Sequence, residues 1–168
     1  MNINRIGRHL LATKWALNRV FPSKSLSAIE QAIKASERTH LGEIRFVVEG
    51  ALDGIPLLKG QSARARAIDV FSQLRIWDTE HNSGVLIYLL LADRNVEIVA
   101  DRGIDAAAGK QGWENICHKM ETAFKHGHFE AGVITGIEEI TQHLTTHFPQ
   151  SNSDHKDKNE LSDTPVRL

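Results

Sequence analysis

The chain has 168 residues, of which 41% are hydrophobic, so it can fill one hydrophobic core and is too short for two of ordinary size. Its net charge is -1 and 6% of its residues are aromatic, which argues against a nucleic-acid-binding protein with a basic, base-stacking surface. The single cysteine, Cys117, excludes a disulfide framework and suits a reducing compartment.

The N-terminal residues 1–24 form a basic arm. Apolar residues recur there at helical spacing, together with five lysines or arginines and no acid. Such an amphipathic helix can bury its apolar face on its own domain, or it can contact an anionic membrane surface or a partner protein. We expect packing on the domain, and we keep as the alternative a peripheral contact with the inner face of the membrane or with a membrane-associated protein partner.

Pro22 ends the arm, and the apolar spacing that follows predicts a helix that ends near Gly42. Residues 43–49 alternate between apolar and polar side chains, which is typical of a strand. A loop over 50–60 and a helix over 62–74 come next. A strand, a helix and a second strand in this order make the two strands parallel neighbours with a right-handed crossover.

The second strand, over residues 84–92, contains eight apolar residues without a polar break. Such a strand is buried on both faces and belongs to a sheet that helices cover on each side. A third strand begins about three residues later, after Asp93-Arg94-Asn95. Because this gap is too short for a crossover helix, the second and third strands are predicted to be antiparallel.

Helices are predicted from Trp113 to His126 and from Phe129 to Phe148. Residues 150–168 are polar and patternless, so we expect them to be disordered. The chain then consists of the arm at 1–24, one domain at 25–149 and a tail at 150–168. The predicted fold class is α/β: a three-layer α-β-α sandwich, Rossmann-like, with a mixed and mostly parallel sheet.

Polar residues are predicted to gather at both ends of this sheet. The carboxyl ends of the two parallel strands coincide, and they bring Glu49, Asp53 and Asp93 to one edge, the first rim. Carboxylates with turn carbonyls are the ligands of Ca²⁺ and Mg²⁺, so we predict a metal site there. The alternatives are that Asp93 hydrogen-bonds its own turn and that Glu49 pairs with an arginine.

The third strand returns to the opposite end of the sheet and creates a second candidate rim. Its polar residues are Glu43, Asn82, Asp101 and Asp105. Gly103 lies among them and permits a close approach of the backbone to a ligand, although solvated acids around a loop glycine are an equally simple interpretation.

The sequence contains no nucleophile elbow, no phosphate-cradling glycine loop and no dinucleotide fingerprint. The common hydrolase, kinase and oxidoreductase mechanisms are therefore disfavoured. We expect no nucleotide cofactor, and we assign no catalytic residue.

Several short motifs occur in a fixed order along the chain. They are Gly42-Glu43-Ile44-Arg45, Asn82 with Gly84-Val85-Leu86, Asp93-Arg94, Gly103 with Asp105, and the later Phe124 and Gly132. In this order and at this spacing they resemble the TPM domain family over about residues 26–149. The resemblance is to the soluble, single-domain branch of a family whose relatives include thylakoid acid phosphatase-like proteins.

This resemblance implies a helix-sheet-helix fold with an acidic pocket, which binds calcium in some relatives and is linked in others to acid phosphatase activity. Asp93 and Asp105 are the acids that the matching motifs carry over. The favoured function is a cytoplasmic binding or adaptor module that acts with a membrane-associated partner. The alternative is a metal-dependent phosphomonoesterase, for which carboxylates are available but a convincing nucleophile is not.

Overall fold

The structure is a computed structural model that describes residues 3–11, 14–52, 54–150 and 159–168. Its helices are α1 (Ile3–Leu11), α2 (Lys14–Val20), α3 (Ser23–Ser36), α4 (Gly54–Leu58), α5 (Ala63–Gln73), α6 (Arg102–Lys125) and α7 (Phe129–His147). Its strands are β1 (Glu43–Glu49), β2 (Gly84–Leu90), β3 (Asn95–Ala100) and β4 (Val166–Arg167).

The four strands form one sheet in the order β3-β2-β1-β4. Strands β1 and β2 are parallel, with Glu43 opposite Gly84 and Glu49 opposite Leu90. Strands β2 and β3 are antiparallel, and Leu90 lies opposite Asn95. The predicted fold class is confirmed: the sheet is mixed and mostly parallel, and helices lie on both of its faces.

Strand β2 divides the hydrophobic core into two layers. Val85, Ile87 and Leu89 face a cluster that includes residues of α2, α3, α6 and α7. Leu86 and Tyr88 face the other cluster, which includes residues of α4 and α5. Because the side chains of a strand alternate between its faces, an unbroken apolar run supplies both layers at once.

The arm packs on its own domain. Leu17 and Phe21 of the arm are buried in the same cluster as α3, and the Phe21 ring lies 5.7 Å from the Phe46 ring and 6.0 Å from the Phe129 ring. His9 is buried, and its Nδ1 accepts a hydrogen bond of 2.9 Å from the Leu52 amide. Contact with a membrane or a partner stays a prediction.

Helix α6 begins earlier than the sequence pattern suggested. It starts at Arg102 rather than near Trp113, because the Asp101 carboxylate accepts a hydrogen bond of 2.7 Å from the Arg102 amide at the helix start. Gly109, at φ +70°, interrupts its helical backbone. No described helix is both long and apolar enough to cross a bilayer.

The tail differs from the expectation of disorder over residues 159–168. Val166 and Arg167 pair in parallel with Val47 and Val48, and Leu161 and Val166 pack against the core. Leu161, Val166 and Leu168 are too few and too unevenly spaced to produce a periodic signal, and pairing with the edge of β1 supplies the order instead. Residues 151–158 lie outside the described residues.

Substitution of Gly84 by alanine is expected to destabilise the domain by about 2 kcal/mol or more, because the new methyl group would overlap the carbonyl oxygen of Ile76. A backbone carbonyl cannot rotate away as a side chain can. Urea unfolding measures the effect. Gly7→Ala is the matched control: no atom lies within 4 Å of the position that its new methyl group would take, so its stability should stay the same or rise. Equal losses in the two variants would contradict the packing described here.

Candidate functional site

The ends of β1 and β2 place Glu49 and Asp93 at the same edge of the sheet. The Leu91 amide donates to the Glu49 carbonyl at 2.9 Å, and the Ala92 amide donates to the Gly50 carbonyl at 3.1 Å. The backbone of the β2–β3 turn is thereby held against the end of β1. The third acid expected at this first rim, Asp53, lies outside the described residues.

The Glu49 carboxylate is bound by side chains of its own domain. Arg66 donates to it twice, from Nε at 2.8 Å and from Nη2 at 3.1 Å, and the Tyr88 hydroxyl donates at 2.7 Å. Burial raises the pKa of Tyr88, and the negative charge of Glu49 raises it further, so the phenol keeps its proton and remains a donor. The predicted alternative, an arginine partner for Glu49, is what the structure contains.

The Asp93 carboxylate is bound by the arm. Arg5 Nε donates to Oδ2 at 2.8 Å, Arg8 Nη2 donates to Oδ1 at 3.1 Å, and His9 Nε2 lies 3.2 Å from Oδ1. Because His9 Nδ1 accepts the Leu52 amide, the ring proton resides on Nε2, which faces Asp93. Burial opposes ionisation, but hydrogen bonds from Arg5 and His9 outweigh it and lower the pKa of Asp93.

These contacts bear on the predicted metal site. Among the described residues, no group of three or more His, Cys, Asp or Glu side chains is placed to hold a metal ion. Glu49 and Asp93 instead face basic groups of their own chain. The described part of the first rim therefore does not fit a preformed Ca²⁺ or Mg²⁺ site, and a cation that also uses Asp53 stays a prediction.

The second rim separates into different environments. Glu43 is buried, and its Oε2 accepts the Leu161 amide of the tail at 3.1 Å. Asp101 caps α6, and its buried Oδ2 has no hydrogen-bond partner. Asn82 is exposed in the turn before β2, with a left-handed backbone at φ +50°. The structure does not gather these three side chains into one site.

The fourth residue of that rim, Asp105, lies in a different site. A cleft of about 630 Å³ lies between β3 and α6, and Asp105 lines it while accepting a hydrogen bond of 3.1 Å from Trp113 Nε1. We call this feature the acidic cleft. Its acids are Glu97, Asp105, Glu114 and Glu121, and its basic residues are Arg64, Lys110 and His118.

The carboxylates of the acidic cleft repel one another. Burial raises the pKa of Glu97, Arg64 opposes this shift, and the charges of Glu121 and Glu114 raise the pKa further. The Arg64 guanidinium lies 3.7 Å from Glu97 Oε2, and Lys110 Nζ lies 3.4 Å from Glu114 Oε1, so two permanently charged bases face the four acids of the cleft. An added positive charge would therefore be stabilised in this cleft.

Side chains of α5 and α6 cover the outer edge of β3 at the floor of the cleft. Glu121 Oε1 accepts the Val96 amide at 3.3 Å, and Arg64 donates to the Ile98 carbonyl. Burial raises the pKa of the Cys117 thiol to about 12, with the Ile98 amide acting in the opposite direction. The edge strand is thereby closed to pairing with a further strand, and the thiol stays protonated.

Three of these acids, Glu97, Glu114 and Glu121, were not predicted as site residues, although the sequence contains a signal for them. Glu114, Cys117, His118 and Glu121 follow the i, i+3, i+4, i+7 spacing of one helix face. On the strand, Glu97 is the polar residue between Val96 and Ile98. Only the packing of α6 beside β3 brings the two patterns together.

Comparison with known proteins identifies the family to which this fold belongs. The TPM domain family model matches residues 17–143, which is most of the chain. The chain therefore belongs to the TPM domain family.

Two solved structures are similar to it. The BA42 protein from the psychrophilic bacterium Bizionia argentinensis is 30% identical, with a TM-score of 0.74, over 87% of this chain and 94% of that one. The N-terminal domain of a P. gingivalis protein is 18% identical, with a TM-score of 0.56, over 73% of this chain and 76% of that one, and it supports the fold alone. No curated protein matches the chain.

Replacement of Asp93 by asparagine is expected to loosen the arm and to cost roughly 1–3 kcal/mol, because Arg5 and Arg8 lose their charged acceptor. Urea unfolding measures the loss, and faster hydrogen exchange of the Leu52 amide reports the displacement of His9. The pKa of Asp93 is lowered in the folded state, so its stabilisation is present above the ordinary carboxyl pKa and disappears as the pH falls through the lowered value.

The difference between the wild type and Asp93→Asn should thus shrink at acid pH. Asp78→Asn removes an exposed carboxylate and is the matched control, with an expected change near zero. An unchanged exchange rate at Leu52 in Asp93→Asn would contradict the role of Asp93 as the anchor of the arm.

Proposed function

We propose that the protein is a binding module of the TPM domain family whose acidic cleft takes a positively charged segment of a partner protein. The observation that carries this proposal is the excess of carboxylates in a cleft of about 630 Å³. Pockets of several hundred Å³ are large enough to enclose a small ligand, and therefore a single side chain of a partner. An arginine or lysine side chain of a partner would relieve the repulsion that Glu97 experiences from Glu114 and Glu121.

The cleft suits side-chain recognition better than strand addition. The outward-facing groups of β3 at Val96 and Ile98 are already bound by Glu121 and Arg64. A partner would therefore gain little from main-chain pairing, and specificity would come from its charged side chains. The buried Trp113, fixed by its hydrogen bond to Asp105, gives the cleft a rigid wall.

The contacts favour binding over turnover. A phosphomonoesterase needs a carboxylate that can hold a cation or a group that can attack phosphorus. Asp93 is engaged by two arginines and faces His9, and the pKa of Cys117 is too high for a thiolate at neutral pH. The phosphatase alternative stays a prediction, and so does a calcium ion that uses Asp53.

The surface proposed to bind the partner protein is the acidic cleft rather than the basic arm. The basic arm was the reason to expect a membrane-associated protein, and Arg5 and Arg8 of that arm are bound to Asp93. We therefore assign the partner to the acidic cleft. Association of that partner with a membrane stays a prediction.

Titration of the ¹⁵N-labelled protein with a short arginine-rich peptide tests the proposal. Amide shifts should concentrate around Glu97, Asp105 and Glu114 and should weaken in high salt, since screening reduces contacts between exposed charges. The double variant Glu97→Gln with Glu114→Gln should bind roughly 3- to 10-fold more weakly. Glu138→Gln, an exposed acid on α7, is the control and should bind like the wild type.

Peptide shifts outside the cleft, or equal weakening in the control, would overturn the assignment. Two further experiments test the alternatives, which are a metal site at the first rim and a phosphatase activity. Calcium chloride that shifts residues 49–53 and 93 rather than the cleft would support the first rim as a metal site. Metal-stimulated turnover of p-nitrophenyl phosphate that is lost in Asp93→Ala would support the phosphatase.

A further inference from the structure

Helix α4 carries two aliphatic side chains that are open to solvent. Ile55 is 66% exposed and Leu58 is 63% exposed, the largest fractions among the exposed large hydrophobic residues described here. Leu57 is buried in the core and anchors the helix. The Lys59 amide donates to the Ile55 carbonyl at 2.9 Å, so the helical turn continues through Lys59. Ile55, Leu58 and Lys59 are therefore spaced i, i+3 and i+4 and share one exposed face.

Helix α1 connects this short helix to the turn between β2 and β3. The Arg5 guanidinium donates from Nε to Asp93 at 2.8 Å and from Nη2 to the Gln61 carbonyl, also at 2.8 Å. One side chain thus bridges the turn and the loop that follows α4. Leu52, just before α4, donates its amide to His9 of α1. These contacts hold α1, α4 and the turn side by side at the carboxyl ends of β1 and β2.

Exposed basic side chains accompany the open face of α4. Lys59 belongs to that face, Arg8 lies on α1, and Arg94 lies in the turn. The Arg8 side chain is 59% exposed, and its hydrogen bond to Asp93 uses Nη2. Because a guanidinium has five N–H donors, Arg8 can still bind an anion from solvent.

The charge balance of this region is positive. Among the described residues that these contacts join, the bases are Arg5, Arg8, Lys59 and Arg94, and the acids are Asp93 and Asp69. Asp93 is bound by Arg5 and Arg8, and Asp69 accepts a hydrogen bond of 2.7 Å from the Gln61 side chain. An anionic surface is therefore the electrostatic complement of this region.

We propose that this surface docks on a lipid bilayer that contains anionic phospholipids. We call it the α4 edge, and it consists of Ile55, Leu58 and Lys59 with Arg8 and Arg94. Its aliphatic side chains enter the boundary between headgroups and acyl chains, and its bases contact the lipid phosphates. The long stems of lysine and arginine allow their charges to stay at the phosphates while the apolar side chains go deeper.

A bilayer suits the α4 edge better than an acidic protein does. Ile55 and Leu58 project from a helix of five residues, and fluid acyl chains accept a projecting side chain without a preformed pocket. The anchors of protein–protein interfaces are most often Trp, Tyr and Arg, whereas Leu is under-represented among them. Aliphatic side chains beside exposed bases are instead the pattern of proteins that lie on membrane surfaces.

The docking is weak and reversible, because a single myristoyl chain is already only a marginal anchor and two aliphatic side chains bury less apolar area. Binding therefore needs both the apolar and the basic groups of the α4 edge. The acidic cleft uses other residues, on β3 and α6. The inference is thus independent of the proposed function, and either one can fail without the other.

Sedimentation of the purified full chain with vesicles tests the proposal. The wild type should sediment with vesicles of phosphatidylglycerol and phosphatidylcholine in equal parts, and it should stay in solution with phosphatidylcholine alone. High salt should weaken the binding. The double variant Ile55→Ser with Leu58→Ser should partition at least about tenfold less, and Lys59→Gln about fivefold less.

Two matched controls come from the opposite end of the sheet. Trp77→Ser removes an aromatic side chain that is 50% exposed, and Arg38→Gln removes an exposed base. Trp77 precedes β2 and Arg38 precedes β1, so both lie near the amino ends of these strands. Both controls should bind vesicles like the wild type.

Nuclear magnetic resonance on the unmodified ¹⁵N-labelled chain does not depend on the folding of any variant. Anionic nanodiscs that contain a paramagnetic phospholipid should broaden the amides of Arg8, Ile55, Leu58, Lys59 and Arg94 before those of Arg38 and Trp77. Inorganic phosphate and a polyglutamate peptide are the comparison probes, and neither should shift the Ile55 and Leu58 amides.

Three results would overturn the proposal. The first is a wild type that stays in solution with anionic vesicles, and the second is an equal loss of binding in the controls and in the α4 edge variants. The third is a shift of the Ile55 and Leu58 amides by a comparison probe. Polyglutamate acting in this way would indicate an acidic protein partner, and phosphate would indicate a site for a small anion.

Discussion

Strand β2 is the element on which the rest of the structure depends. Its six residues from Val85 to Leu90 are completely buried, and β1 and β3 pair with its two edges. A strand without a solvent-facing side requires an apolar layer on each face and a neighbour on each edge. The helices on both faces of the sheet follow from this one requirement.

The same constraint decides where polar chemistry can occur. Charged side chains are excluded from the faces of β2, so they collect at strand ends, along the edge of β3 and beside β1. There most of them meet opposite charges of their own chain: Glu49 meets Arg66, Asp93 meets Arg5 and Glu97 meets Arg64. In the acidic cleft, four carboxyl groups face only two permanently charged bases, Arg64 and Lys110, and the proposed function concerns this place.

The order and direction of the first three strands could be predicted from the sequence, because they depend on short-range information. An unbroken apolar run from Val85 onward predicts burial on both faces, and the few residues from Asp93 to Asn95 leave room only for a turn. The positions of Glu49 and Asp93 at one end of the sheet follow from that topology. The partners of these acids could not be predicted, since Arg5 and Asp93 are 88 residues apart and share no local pattern. The ordered structure of residues 159–168 could not be predicted for a related reason, because it depends on pairing with the edge of β1.

The sequence by itself therefore determined the layered α/β architecture, the antiparallel turn at Asp93 and the family resemblance, all of which arise from periodicity and spacing within short windows. Tertiary structure alone decided that the arm binds Asp93, that α6 and β3 enclose an acidic cleft, and that residues 159–168 join the sheet. The physical reason is that a charge or an unpaired strand edge takes whichever partner packing brings within a few ångströms, and nothing in the local sequence records which partner that is.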